Sequence, residues 1–472
     1  MPWRLAAQSE ARKPFHALAF NPILKILLIA TLALGLLIPL SLVQNLVDER
    51  EVRQRQVERE IGDLWGQPQI LAGPILLVPA RREQADEQGR VTILEEHLVL
   101  LPDVYNVEAT LEPEHRSRGP FEVVVYRLAL KISGHFFLAG SPASSLEGTQ
   151  PDWSQARLLL GLEDQRSLTE APEIAWDSDI LVAEPGSSSL LLLPTAGGLQ
   201  SDLSLRPDDF GRPLTFAASL TLNGSSRFSI LPLGRATSVT IASPWPHPSF
   251  DGAFLPVSSE VSDEGFTARW STSHFGRRYP QIWRIGGAEG AWLPELAASA
   301  FGVRLYQPAD TYQQSKRTTK YGLLFILFTF TLLFLYEVIS RHRLHILQYG
   351  LVGCALALFY LLLLALAEQM TFAAAYTIAA AAIVGQLVFY TAGAFGSFKR
   401  ALCLGLTVAA LYGCLYLLIG LQDLALLVGG IALFVALTAV MAVTRRTDWY
   451  DVGWRNETKT ETNGESATVG SN

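Results

Sequence analysis

Cysteine is scarce in this chain, and it is absent from the polar part of the sequence. The 472 residues include 3 cysteines, Cys354, Cys403 and Cys414, and all three fall within long apolar runs. A disulfide therefore cannot stabilise the polar part of the chain, even in an oxidising compartment. Zinc sites built from thiolates are excluded there for the same reason.

Sequence signatures of catalysis are also missing. The 8 histidines form no H-x-x-H, H-E-x-x-H or Cys/His cluster, and neither G-x-S-x-G nor a P-loop occurs. Ser133 lies near His135 and Ser249 near His247, but a catalytic triad is defined by spatial roles and not by adjacency in sequence. We expect no catalytic residue, metal or cofactor, and we expect that the chain is not an enzyme. A hydrolase that uses the His135 or His247 region is a less favoured alternative.

Charge is sparse, and its balance is wrong for a nucleic-acid partner. Charged residues make up 17% of the chain and the formal net charge is -7. A protein that binds nucleic acid needs a basic surface to neutralise phosphates, so we expect no such partner. Hydrophobic residues make up 49%, and nearly all the charge precedes Lys320 or follows Thr444. The composition is therefore an average of two unlike parts.

Long apolar runs are abundant. A helix needs about 20 apolar residues to cross a bilayer, because only a helix satisfies its own backbone polar groups without water. Six runs predict transmembrane spans 1 to 6 at residues 23–43, 321–339, 347–367, 372–394, 401–419 and 424–443. Span 1 is too long for a signal peptide and lacks a small-residue cleavage site, so it predicts an uncleaved anchor. Pro39 is expected to bend it slightly.

The distribution of Lys and Arg predicts the orientation. Residues 1–22, the connections after spans 2 and 4 and the tail 444–472 carry Lys or Arg, whereas the short loops at 368–371 and 420–423 carry none. Short loops rich in Lys and Arg stay in the cytoplasm. Both termini are therefore predicted to be cytoplasmic, and residues 48–320 are predicted to form a translocated domain between spans 1 and 2.

The translocated domain is predicted to be β-rich. Its first segment, Asp48 to Leu64, has no Gly or Pro before Gly62 and predicts a helix that continues the anchor. The runs that follow are short, rich in Val and Leu and bounded by turn residues: Ile75 to Val78, Val91 to Leu101, Phe121 to Ile132, Leu190 to Leu193, Leu214 to Leu222 and Ser238 to Ala242. They predict an antiparallel sandwich or a related roll. Similar short motifs recur near residues 98–136 and 190–228 and suggest an internal duplication, although the residues common to strands and turns can produce such similarity by themselves.

Two sets of residues are candidates for functional contacts. Prolines around Trp245 and Phe250 predict a rigid loop or sheet edge that exposes both aromatics to a partner or lipid, although packing onto a neighbouring sheet is the more common outcome. The second set is a polar cluster at the inner end of span 2, which consists of Glu337, Arg341, His345 and Gln348. Glu337 and Arg341 predict an interfacial ion pair worth about 0.2 to 1 kcal/mol, with a structural role.

Several long motifs resemble the CreD family. They include Trp65-Gly-Gln-Pro-Gln-Ile-Leu-Ala-Gly-Pro-Ile-Leu-Leu-Val-Pro79, Leu111-Glu-Pro-Glu-His-Arg116-Ser-Arg118-Gly119, Trp245-Pro-His-Pro-Ser-Phe-Asp-Gly-Ala-Phe-Leu-Pro256 and Thr444-Arg-Arg-Thr-Asp-Trp449. The resemblance runs from about Asn21 to Tyr450. It implies a bacterial inner-membrane protein with a periplasmic domain, associated with cell envelope integrity and with the response to envelope or cell-wall stress. It brings no catalytic residues.

These observations together predict an α+β membrane protein with six transmembrane helices and a large β-rich periplasmic domain. The favoured function is a non-enzymatic envelope protein that contacts the lipid bilayer and a periplasmic or envelope protein. The alternative is a protein that handles or transports a lipid or cell-wall precursor through spans 2 to 6. In that case the cations that would meet an anionic headgroup are Arg116, Arg118, Lys316 or Lys320.

Overall fold

The computed structural model describes residues 22–85, 91–138, 149–186, 194–285, 292–307, 311–340, 344–421 and 424–445. The chain forms two compact units. One, called here the helical unit, consists of Met1–Arg53 and Ala309–Asn472. The other, called the β unit, consists of Gln54–Pro308. The boundary at Arg53 falls inside a helix that begins at Leu37 and ends at Trp65.

The helical unit is built from long apolar helices. Its helices are α1 (Pro22–Gly35), α2 (Leu37–Trp65, to Arg53), α4 (Thr311–Lys320), α5 (Gly322–Ser340), α6 (Ile346–Ala367), α7 (Phe372–Phe395), α8 (Phe398–Gly420) and α9 (Ala425–Thr444). Within the described residues, five helices are long and apolar enough to cross a membrane: Leu24–Trp65, Gly322–Ile339, Ile346–Ala367, Phe372–Phe395 and Phe398–Gly420. Predicted span 6 falls on α9, whose apolar stretch Leu427–Ala442 is shorter.

The first membrane-length helix has a one-residue break close to Pro39, where the sequence predicts a slight bend. Helix α1 ends at Gly35 and α2 begins at Leu37, so the helix is interrupted at Leu36. Pro39 has no N–H with which to bond the Gly35 carbonyl four residues earlier, which weakens the helix at this point. Hydrogen bonds from Leu36 N to Leu32 O (3.0 Å) and from Leu40 N to Leu36 O (3.3 Å) continue the ladder on either side.

Small residues let α7 and α8 approach closely. Ala375 and Ala379 on α7 are fully buried. On α8, a Cβ added to Gly405 would lie 2.2 Å from Val388 Cγ2 on α7, so a larger residue here would force Val388 to move. Helices in a bilayer gain association energy from such close packing, because lipid is as apolar as the side chains themselves.

Within the described residues, the β unit contains two large sheets, the part of α2 from Gln54 onwards and a short helix, α3 (Leu293–Ala298). Sheet A contains β1 (Gln69–Ala85), β2 (Val91–Leu100), β5 (Thr149–Pro151), β6 (Ala156–Leu162), β9 (Glu184–Pro185), β10 (Gly197–Leu203), β12 (Arg227–Ile230), β14 (Pro248–Gly252), β17 (Ile282–Ile285) and β18 (Phe301–Leu305). Sheet B contains β3 (Val104–Arg118), β4 (Phe121–Phe137), β7 (Glu173–Trp176), β8 (Asp179–Leu181), β11 (Pro213–Ser225), β13 (Ala236–Ser243), β15 (Ser258–Ser262) and β16 (Gly265–Ser273).

Strand pairing is mostly antiparallel, as predicted. The central order of sheet A is β14-β18-β12-β1-β6-β10-β9, and that of sheet B is β15-β16-β13-β3-β4-β11-β7-β8. Two pairs differ from the prediction: β1 runs parallel to β12 and β13 runs parallel to β3. Parallel neighbours cannot be joined by a tight hairpin, so local turn signals do not reveal them.

One hydrophobic core draws on both sheets. Along β11, residues Leu214, Phe216, Ala218 and Leu220 are buried and alternate with more exposed neighbours. Tyr105 on β3 is also fully buried. This alternation with period two is the signature of strands that bury one face.

The predicted elements of the β unit are found wherever the structure describes them. The predicted helix at Asp48 to Leu64 lies within α2. The predicted strands that begin at Ile75, Val91, Phe121, Leu214 and Ser238 lie in β1, β2, β4, β11 and β13. Strand β2 ends at Leu100, one residue before the predicted end. The predicted strand at Leu190 to Leu193 lies outside the described residues.

The two segments considered for an internal duplication differ in topology. In residues 98–136, β3 and β4 pair as neighbours within sheet B. In residues 190–228, β10 belongs to sheet A and β11 to sheet B. The described strands of the two segments therefore differ in sheet membership, and the duplication itself stays a prediction.

Candidate functional site

The β unit has a cleft at one end of its two sheets. Its volume is about 400 Å³, and the described residues that line it are Leu100, Asp103, Phe137, Leu138, Trp153, Phe210, Arg235 and Ile282. Both sheets contribute, because Leu100 and Ile282 belong to sheet A, whereas Phe137 ends β4 of sheet B. This cleft is called here the end cleft.

An ion pair lies at the end cleft. Arg235 Nε lies 3.1 Å from Asp103 Oδ1. The other carboxylate oxygen, Asp103 Oδ2, accepts a 2.8 Å hydrogen bond from the backbone N–H of Phe137. Backbone hydrogen bonds also link the two segments that carry this ion pair: Arg235 N donates to Pro102 O (2.9 Å), and Ala236 N donates to Asp103 O (2.8 Å). Both charged side chains are therefore fixed by the ends of sheet B.

Aromatic rings form one wall of the end cleft. Trp153 and Phe210 meet edge to face, with ring centroids 5.1 Å apart. The backbone anchors this wall, because Leu205 N donates to Trp153 O (3.0 Å) and Gly211 N donates to Leu138 O (2.8 Å). A concave apolar surface with a few fixed polar groups is the usual form of a small-molecule site.

The predicted exposure of Trp245 is wrong. Its side chain is only 9% exposed, and Nε1 donates a 3.0 Å hydrogen bond to Tyr306 O. Phe250 is half-buried and packs edge to face on Phe266 and Trp270. The segment does form an edge strand, β14, as the prolines predicted. Both aromatics pack onto the core, the more common outcome for such a segment, and a partner or lipid contact of either residue stays a prediction.

Four cationic residues were predicted to bind an anionic headgroup, and three of them form ion pairs with carboxylates. Arg116 Nη2 and Arg118 Nη1 each lie 2.8 Å from a glutamate oxygen, that of Glu114 and that of Glu60 respectively. Lys316 Nζ lies 2.8 Å from Asp48 and 3.0 Å from Glu51. Hydrogen bonds to Asp48 and Glu51 raise the pKa of Lys316 above its usual value. Lys320, the fourth, is exposed.

The polar cluster of the helical unit includes a partner that the sequence did not suggest. Glu337 Oε1 accepts a hydrogen bond from Lys25, and Oε2 accepts one from Tyr349 Oη at 2.9 Å. Lys25 also donates to Leu344 O at 2.8 Å. The Lys25 and Glu337 side chains are 20% and 11% exposed. Arg341, the expected partner of Glu337, lies outside the described residues.

The other two members of this cluster form the start of α6. His345 is the N-cap residue, and its Nδ1 accepts from Leu347 N at 3.2 Å. Gln348 completes a capping box, because its Oε1 accepts from His345 N at 2.9 Å. These bonds give His345 and Gln348 a structural role at the helix terminus, separate from the network around Glu337.

One sequence signal could have indicated Lys25. It lies inside predicted span 1, and a cation within an apolar run is costly unless it meets a carboxylate or carbonyl oxygen. Among the described residues, no group of three or more His, Cys, Asp or Glu is placed to hold a metal ion.

Comparisons with known proteins match the chain to a protein family. The family described as CreD, inner membrane protein CreD, matches residues 21–450. Inner membrane protein CreD of Escherichia coli strain K12 is 32% identical over 425 residues, which cover 88% of this chain and 91% of that protein.

Solved structures give only weak likenesses. A putative nutrient binding protein from Legionella pneumophila shares 6% identity, with a TM-score of 0.24, over 44% of this chain and 71% of that one. An M1 zinc metallopeptidase from Deinococcus radiodurans shares 12% identity, with a TM-score of 0.17, over 40% of this chain and 42% of that one. These scores support no argument about fold or function.

Proposed function

The chain belongs to the CreD family of inner membrane proteins, and we propose from this that it supports the integrity of the cell envelope under stress without catalysing a reaction. In this proposal the β unit lies in the periplasm and contacts an envelope or periplasmic protein. Helices α1, α2 and α5 to α9 anchor it with six crossings, and both termini are cytoplasmic.

The observation that carries the proposal is the construction of the β unit. It is inserted in the chain between the first and second membrane-length helices, and it has its own core between two sheets. A body of this kind can fold and present surfaces outside the bilayer while the helices hold it at the membrane. Its stability does not depend on disulfides, since the segment contains no cysteine.

The proposed function can be tested by complementation. In a bacterium that lacks its own CreD protein, the intact chain should restore tolerance to a β-lactam. Trp270→Ala removes a core side chain that is 1% exposed and should abolish the rescue, whereas Phe275→Ala removes one that is 87% exposed and should preserve it. The amount of inserted protein is measured for each variant. Failure of the intact chain to restore tolerance, at normal abundance, would contradict the proposal.

The proposed orientation makes a separate prediction. Alkaline phosphatase is active only outside the cytoplasm, so fusions after Gly198 and Glu368 should be active. Fusions after Arg343, Lys399 and Thr447 should be inactive, because the short basic loops stay inside. Phosphatase activity is measured against the amount of each fusion. An active fusion at Arg343 would overturn the six-crossing arrangement.

A further inference from the structure

We propose that the end cleft binds a small amphiphilic anion, a molecule with a flat apolar body and a carboxylate at one end. The volume of about 400 Å³ falls within the range of small-molecule sites, roughly 300 to 1,000 Å³. Of the described residues that line it, six are apolar: Leu100, Phe137, Leu138, Trp153, Phe210 and Ile282. An apolar body can therefore lose its hydration shell in the cleft.

The walls are fixed before any ligand arrives. Gln281 Nε2 donates to Leu101 O (2.8 Å) and to Pro102 O (2.7 Å), which secures the turn between β2 and β3. Leu101 N in turn donates to Gln281 O at 3.1 Å. These bonds hold the start of β17 against the turn that follows β2, next to the lining residues Leu100 and Ile282. A preformed site loses little conformational entropy on binding, so more of the contact energy appears as affinity.

The guanidinium of Arg235 supplies the donors that suit an anion. Asp103 is already satisfied, since Arg235 Nε and Phe137 N occupy its two oxygens. In this pair only Nε of Arg235 contacts Asp103, and the Arg235 side chain is 54% exposed. The two Nη groups of Arg235 do not take part in the contact with Asp103. A carboxylate suits them, because a guanidinium presents parallel donors to two oxygens.

Asp152 and Asp209 lie next to wall residues in the sequence, but neither is among the described residues that line the end cleft. Asp152, beside Trp153, accepts from Ser154 N (3.2 Å) and Ser154 Oγ (2.6 Å). Asp209, beside Phe210, accepts from Arg206 N at 2.7 Å and pairs with Arg212. Among the described lining residues, Asp103 alone is acidic, and Arg235 offsets its charge.

Photolabelling of the full-length chain in lipid nanodiscs tests this inference. The probe is 4-benzoylbenzoate, which carries a carboxylate on an aromatic body and crosslinks to nearby C–H bonds under near-ultraviolet light. Mass spectrometry should find saturable adducts on peptides that contain Phe137, Trp153 or Phe210. Arg235→Gln should weaken labelling there by about tenfold, the value of one charged hydrogen bond. Arg235→Lys keeps the charge and should lose less.

Two controls make the outcome specific. Arg269→Gln removes an exposed arginine that is not in the cleft walls and should leave labelling unchanged. Neutral 4-methylbenzophenone should label the cleft weakly and equally in the Arg235→Gln variant. Unchanged labelling by the acid in Arg235→Gln, with native resistance to proteolysis, would overturn the inference, as would adducts confined to the lipid-facing helices. The labelling does not depend on the envelope role, so a chain that binds the probe but restores no stress tolerance contradicts only the proposed function.

Discussion

Replacing Glu337 by alanine should destabilise the helical unit by about 3 kcal/mol. The substitution leaves the Lys25 ammonium with only the Leu344 carbonyl, and it leaves the Tyr349 hydroxyl without its acceptor. Removing one partner of a largely buried pair costs more than the pair itself contributes, because the remaining charge stays desolvated. This expected effect exceeds the 0.2 to 1 kcal/mol of an exposed pair with Arg341.

The measurement is thermal unfolding of the purified full-length chain in detergent micelles, followed by circular dichroism of the helices. The double variant Lys25→Glu/Glu337→Lys serves as the matched control. It swaps the two charges but keeps the ion pair, so it should recover much of the stability that Glu337→Ala loses. Tyr349→Phe removes one hydrogen bond and should cost about 1 kcal/mol. If Glu337→Ala and Tyr349→Phe were equally mild, the Lys25 contact would contribute little, and the network would be weaker than its geometry indicates.

The helices could be predicted from the sequence because each signal is local. Twenty apolar residues are sufficient to identify a membrane-length helix, and the ends of α6 and α7 fall close to the ends of predicted spans 3 and 4. The network around Glu337 could not be predicted in this way. Lys25 and Glu337 are 312 positions apart, and helical spacing reveals only partners three or four residues away.

The same distinction separates the strands from the end cleft. Alternation with period two predicted β11, since each strand carries its own pattern. The cleft combines Leu100, Phe137, Arg235 and Ile282 from two sheets, and their meeting depends on strand order. Because β13 pairs parallel to β3 across a long stretch of chain, no turn signal specifies where Arg235 lies. The proline pattern around Trp245 predicted the sheet edge, but it could not specify which way the indole points.

Replacing Trp245 by alanine should destabilise the β unit by about 3 to 5 kcal/mol, the usual cost of removing a large aromatic from a core. The side chain is 9% exposed and belongs to the core between the sheets, and its Nε1 hydrogen bond satisfies the Tyr306 carbonyl. Trp245→Phe keeps most of the packing but loses that bond, so it should cost about 1 to 3 kcal/mol. The measurement is the urea midpoint of the full-length chain, read by pulse proteolysis of the β unit.

Phe275→Ala is the control for Trp245→Ala, because it also removes an aromatic ring from the β unit but one that is 87% exposed. It should change stability by no more than about 0.5 kcal/mol. The two variants separate packing from recognition. If Trp245→Ala kept its urea midpoint and still lost β-lactam tolerance, the indole would have to act on a partner, as its Pro-rich context first suggested. A lower midpoint together with lost tolerance, and native behaviour of Phe275→Ala, would show that tolerance depends on the folded β unit and that Trp245 acts by stabilising it.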